Sequence, residues 1–210
     1  MIKALLLIFD PMATWDGIVR ARRSLAFVLV VYLFPLLLLA SAAEGYGLVH
    51  WGKWQGEVGR IKVFSIRETV IVEAMQFLLA LVVVFLGANM IKSIGETFHG
   101  RHTYAQAFTT VAYGLSPLFL LHLLDAFPGR SPWTPWMIWA VGIILCAAVL
   151  YHGVPRVMEP DPPHAFGLFF MSSLLLALVS GLVRLVTISY LQGKFVKLQV
   201  IISDLAARLP

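Results

Sequence analysis

Residues 103–127 read TYAQAFTTVAYGLSPLFLLHLLDAF, and this stretch decides the fold. It is apolar enough to cross a bilayer, yet Tyr113, Gly114, Ser116 and Pro117 interrupt its middle. Pro117 has no amide hydrogen, so the carbonyl one turn earlier loses its helical partner. Gly114 has no side chain, so a neighbouring backbone can come close. Such a break at membrane depth survives only where protein, a hydroxyl or water satisfies the freed groups. The segment is therefore expected inside a bundle, shielded from lipid and irregular between Tyr113 and Leu118.

The rest of the chain supplies the bundle. Of 210 residues, 60% are hydrophobic and 13% charged, against about 25% charged in soluble domains. Five runs carry no Asp, Glu, Lys, Arg or His: Ser24–Ala43, Ala74–Ile91, Thr103–Leu121, Ser131–Tyr151 and Ala165–Val183. Each approaches the ~20 residues that a helix needs to cross a hydrocarbon core of ~30 Å. The reading is an all-α polytopic membrane protein, one membrane domain over 1–210. Its five transmembrane helices are expected at about 24–44, 68–92, 103–127, 132–152 and 163–191, with the two termini on opposite sides.

The N-terminal MIKALLLIF has too short an apolar core for a signal peptide, and Asp10-Pro11 stands where a cleavage site belongs. Asp10 is a helix cap followed by a first-turn proline. Met12, Trp15, Ile18 and Val19 then share a face, and Arg20, Arg22 and Arg23 follow. This reads as a short interfacial helix. Pro35 is expected to kink the first span. Glu44–Glu68 reads as the longest polar connection, with a small hairpin and Trp51 and Trp54 at headgroup level. Ser65 and Glu68 form a capping box that opens the second span. Trp133, Trp136 and Trp139 make an aromatic belt at the entry to the fourth. Val154–Pro163 reads as a proline-rich linker that cannot stay helical throughout, and Gln192–Pro210 as a surface helix. The Arg cluster before the first span favours a cytoplasmic N-terminus.

Motifs for chemistry are scarce. Cys146 lies within a span and has no cysteine partner. Glu96, His99 and His102 are the best-spaced metal ligands, but on a helix residues three apart share a face while residues six apart do not, and the expectation is no metal. His122 and His152 lack a partner at haem-ligating spacing. There is no P-loop, Gly-x-Ser-x-Gly elbow or paired-carboxylate signature, and no basic run with interleaved aromatics for nucleic acid. The expectation is no catalytic residues and no cofactor. Glu73 and Arg184 are the ionisable residues nearest to hydrocarbon. At a span centre each would cost roughly 2.5–3.5 kcal/mol. Both lie toward span ends on the side opposite the N-terminus, so an ion pair between them is expected if the second and fifth spans are neighbours.

Pro11, Trp15 and Ile18 before the first span, Tyr113 to Pro117 in the third, and Tyr151-His152-Gly153-Val154 closing the fourth resemble the bacterial branch of the Yip-domain (Ypt-interacting protein) family. The resemblance covers about Ile8 to Tyr190. It implies a five-helix bundle with a cytoplasmic N-terminus, here in a bacterial inner membrane. Eukaryotic relatives bind small GTPases in vesicle traffic. This chain lacks their Asp-Leu-Tyr-Gly-Pro motif and long soluble N-terminal region, so that function does not carry over. The expected role is non-enzymatic: organising the lipid bilayer, or binding another membrane protein or a membrane complex. The alternatives are a small-solute transporter or channel, favoured by the broken third helix with Glu73, Gln76 and Asn89, and an accessory subunit of a larger complex.

Overall fold

The computed structural model describes residues 2–55, 60–98, 103–129 and 131–208. Among the described residues five helices are long and apolar enough to cross a membrane: Leu25–His50, Ile66–Thr97, Tyr104–Ala126, Thr134–Met158 and Pro162–Leu191. They are called the first to fifth spans below. Two helices precede them, α1 (Ile2–Phe9) and α2 (Pro11–Ala21), and a C-terminal helix (Val196–Arg208) follows. The protein is an all-α polytopic membrane protein.

The third span is the axis. Its apolar window is 72% buried, against 22–33% for the other four, so it is wrapped by protein while they face lipid. It packs on the first, second and fourth spans, and the second and fifth also touch. Its helix breaks at Leu115, and Pro117 opens the next helical piece, Ser116–Leu121. The proline leaves the Tyr113 carbonyl without the amide donor four residues on. The Ser116 hydroxyl donates to that carbonyl at 2.6 Å, which supplies the missing bond within the same turn. A 3-10 turn, His122–Ala126, ends the span. Gly142 fits the fourth span against this segment: a Cβ there would lie 2.7 Å from Leu118 Cδ1 and 3.2 Å from its Cα.

The first span answers Pro35 with a wider turn, not a simple kink. Val28–Leu33 is π-helical, and the Phe34 amide donates to Leu29, five residues back. A π turn absorbs the register change that a missing proline donor imposes. The span also runs on to His50, past the sequence-based boundary at residue 44. The residues read as a loop, Glu44–Gly47, are helical, and Glu44, Gly45 and Gly47 are buried. Gly45 and Gly47 are approach positions: a Cβ on Gly47 would sit 2.0 Å from the Asp125 carbonyl oxygen. Small residues let helices come that close in a membrane.

The connection that remains is short. β1 (Lys53–Gln55) pairs antiparallel with β2 (Arg60–Lys62), Trp54 opposite Ile61. Ser65 and Glu68 close the capping box, with bonds of 3.1 and 3.2 Å, and start the second span. The hairpin lies over the bundle end: the Trp51 and Trp54 indoles donate to the carbonyls of Ala126 and Gly129. A small apolar cluster of Leu48, Phe64, Val72, Tyr190, Leu191 and Ile202 seats the C-terminal helix at this same hairpin end. The fourth span keeps Pro155 inside its last turn and stops at Glu159, whose φ of 43° turns the chain.

Candidate functional site

The N-terminal end is built by α2. Asp10 caps it, accepting from the Ala13 amide at 3.3 Å, with Pro11 in the first turn. Trp15 and Ile18 face inward, 0% and 5% exposed. The Trp15 indole donates to the Val149 carbonyl at 2.9 Å, so this helix is keyed into the fourth span. Gly153 makes the slot; a Cβ there would fall 2.3 Å from the indole ring. Trp15 also meets Tyr113 edge-on at 6.1 Å, and Tyr113 lies 4.0 Å from Tyr32. The Tyr32 hydroxyl bonds to Ser116. Thus Trp15, Tyr113 and Ser116, which carried the sequence pattern, meet with Tyr32 in one aromatic layer, and Ile18 is buried in the same core. Gly114 admits Leu150 rather than a backbone: a Cβ would lie 2.4 Å from Leu150 Cδ2.

Beside that layer opens a basin of about 460 Å³. Lys3, Arg22, Arg23, Gln106, Tyr113 and Glu159 line it, so α1, the end of α2, the start of the third span and the end of the fourth all contribute. Arg22 holds the left-handed turn (φ 42°) that ends α2. Arg156 ties the fourth span to α2 through Asp16 at 3.0 Å. Glu96 ends the second span on this side and pairs with Lys92 at 3.3 Å. The histidines once grouped with it, His99 and His102, lie outside the described residues.

The hairpin end is ionic. Arg184 of the fifth span is 4% exposed and contacts two buried carboxylates: Asp125 at 3.2 Å and Glu44 at 3.5 Å. Lys53 of β1 reaches the same pair, at 3.0 Å from Asp125 and 4.0 Å from Glu44. His122 stands against both, at 3.4 and 3.7 Å. Two cations thus face two anions across four elements, sealed beneath the hairpin. Charges in such a place are held by partners, because removing one strands the rest.

The pair expected from the sequence, Glu73 with Arg184, is not formed. Both residues line a central cavity of about 90 Å³, so their depth and side agree with the expectation. The guanidinium is turned to Glu44 and Asp125 instead, and Glu73 is left without an ion-pair partner among the described residues, with the Ser41 hydroxyl facing it. Glu44 and Asp125 escaped the sequence reading because each stands just past a charge-free run. The available signal was Ser41, Glu44, Gly45 and Leu48, which continue the helical spacing of the first span through the supposed loop.

Glu44, His122 and Asp125 also present donor atoms within 4.8 Å of one another, a cluster with the composition of a metal site. Arg184 and Lys53 contact the same carboxylates, so a divalent ion would meet two positive charges there. The cluster is an ion-pair network by this test, and the donors do not suit a resident metal.

A family model described as the Yip1 domain matches residues 5–185. No curated protein and no solved structure matches the chain.

Proposed function

The chain belongs to the Yip1 domain family, and we propose that it is a non-enzymatic membrane protein that organises the bilayer by holding anionic phospholipid headgroups at its N-terminal end. The observation that carries this reading is the basin of about 460 Å³ bordered by Lys3, Arg22 and Arg23. Basic side chains at the membrane surface attract anionic lipids by about 1 kcal/mol each. Here three of them converge on a concavity whose polar lining, Gln106 and Glu159, can orient a headgroup, while Tyr113 and Val28 offer an apolar floor. The aromatic layer beneath holds α2 in the position that places Arg22 at the rim. On this reading the N-terminus faces the cytoplasm of a bacterial inner membrane, in keeping with the Arg cluster that precedes the first span.

The test is lipid retention. Protein reconstituted with mixed zwitterionic and anionic phospholipid, then stripped with mild detergent, should retain anionic lipid in native mass spectra. Arg22→Glu with Arg23→Glu should abolish that retention while leaving the bundle folded. Equal retention by the variant would refute the assignment. Loss of a stoichiometric protein partner instead of lipid would replace it with a protein-docking role for the same basin.

A further inference from the structure

The hairpin end carries a second feature, independent of the basin. Six ionisable groups gather there from five elements: Glu44 of the first span, Lys53 of β1, Glu73 of the second span, His122 and Asp125 of the third, and Arg184 of the fifth. The fourth span contributes only the Trp139 indole to the cavity wall. Lys53 and Arg184 balance Glu44 and Asp125, and His122 leans on those same two carboxylates. Glu73 is left as the carboxylate with no counter-charge among the described residues.

Its surroundings make that a binding condition. Glu73 is 9% exposed, neither oxygen makes a close hydrogen bond, and the neighbouring Ser41 hydroxyl is a neutral donor that cannot balance a charge. A buried carboxylate without a counter-charge is too costly to persist; it is neutralised by a proton or paired with a cation. The cavity it lines measures about 90 Å³. A single water needs about 10–15 Å³ on this measure, so there is space for an ion with several waters. Gln76 Nε2, Trp139 Nε1 and Arg184 Nε are further wall atoms without a hydrogen-bond partner. A water that accepts from one of these donors keeps a second lone pair for a cation seated at the carboxylate. Toward the N-terminal end the cavity is floored by Leu37, Phe77, Val83 and Leu115, which offer an ion no ligand. This is the shape of a binding pocket and not of a pore.

We infer that this cavity is a binding site for one monovalent cation, with the Glu73 carboxylate as its ligand and a proton as the smallest occupant. The site is distinct from Arg184's own pairing, which it leaves intact. It also stands whether or not the N-terminal basin binds lipid.

The experiment uses the full chain in lipid bilayers, compared with Glu73→Gln, which keeps the shape and removes the charge. In one arm, infrared absorption at neutral pH reads the carbonyl stretch of protonated carboxyl groups. A band present in the parent protein, lost in Glu73→Gln and retained in the surface variant Glu96→Gln, identifies the occupant as a proton. In the other arm, thermal midpoints are titrated with sodium or potassium chloride against N-methylglucamine chloride at constant ionic strength. A saturable rise of several degrees in the parent, absent in Glu73→Gln, identifies an alkali ion. Glu73→Asp, which keeps the carboxylate, should preserve whichever signal is found and guards against a folding defect in the first variant. A parent protein with neither signal, or signals unchanged in Glu73→Gln, overturns the site.

Discussion

The two ends of the bundle are closed by opposite means. At the N-terminal end a helix is keyed in by one large aromatic side chain, Trp15, resting in a slot made by Gly153 and bonded to Val149. At the hairpin end the lid is held by charges, Lys53 and Arg184 on Glu44 and Asp125. Shape complementarity fails gradually, because a ring can shift and repack. A buried charge network fails abruptly, because losing one member leaves another uncompensated. The difference teaches that the N-terminal end is suited to yield to a ligand, while the hairpin end holds the spans in register.

The largest effect should follow Arg184→Gln. It leaves Glu44 and Asp125 with only Lys53 and His122 beside them, and breaking a buried pair costs about 3–5 kcal/mol. The thermal midpoint in detergent should fall sharply. Adding Asp125→Asn to it should recover part of the loss, since one stranded charge is gone; simple addition of the two effects would refute the coupling. The counterpart at the other end is Gly153→Val. The new side chain overlaps the Trp15 ring, and overpacking of this kind costs about 1–3 kcal/mol. Hydrogen exchange should rise across residues 2–21 and leave the five spans protected. A uniform rise would show that the two ends do not fail separately.

Smaller effects refine the picture. Ser116→Ala removes the hydroxyl that serves the Tyr113 carbonyl, and an unsatisfied buried acceptor costs about 1–3 kcal/mol. Its loss should exceed that of Ser180→Ala, whose hydroxyl serves the Ala177 carbonyl, part of an uninterrupted helix. Trp15→Phe deletes the indole donor, worth about 1 kcal/mol, together with the five-membered half of the ring. A midpoint change smaller than that of Gly153→Val would show that the slot tolerates lost volume better than added volume.

Much of this was legible in the chain. The five charge-free runs mark the spans, and Gly114, Ser116 and Pro117 mark the third as interior and irregular, even to the hydroxyl that heals it. Pro11, Trp15 and Ile18 mark the N-terminal helix, but the sequence reads it as lying along the headgroups, whereas Trp15 is buried against the fourth span. The ionic site was only half legible. Glu73 and Arg184 stand inside or beside apolar runs and draw attention by their cost there. Glu44 does not, because a glutamate followed by two glycines has the composition of a loop. Only the close approach of the Asp125 backbone shows that those glycines serve helix packing. Pairing among Glu44, Lys53, Asp125 and Arg184 depends on which spans are neighbours, and periodicity along one helix carries no information about that.

The ion network also has a consequence for how the protein is made. A chain emerges from its N-terminus, so Glu44, Lys53 and Asp125 enter the membrane before Arg184 has been synthesised. Through that interval the two carboxylates have Lys53 and His122 beside them but not the guanidinium. The fifth span brings it and balances that network. Arg184 thereby acts as a completion mark: a shortened product that ends between Asp125 and Arg184 carries both acids without the guanidinium that joins them, the kind of defect by which membrane quality control tells unfinished chains from finished ones.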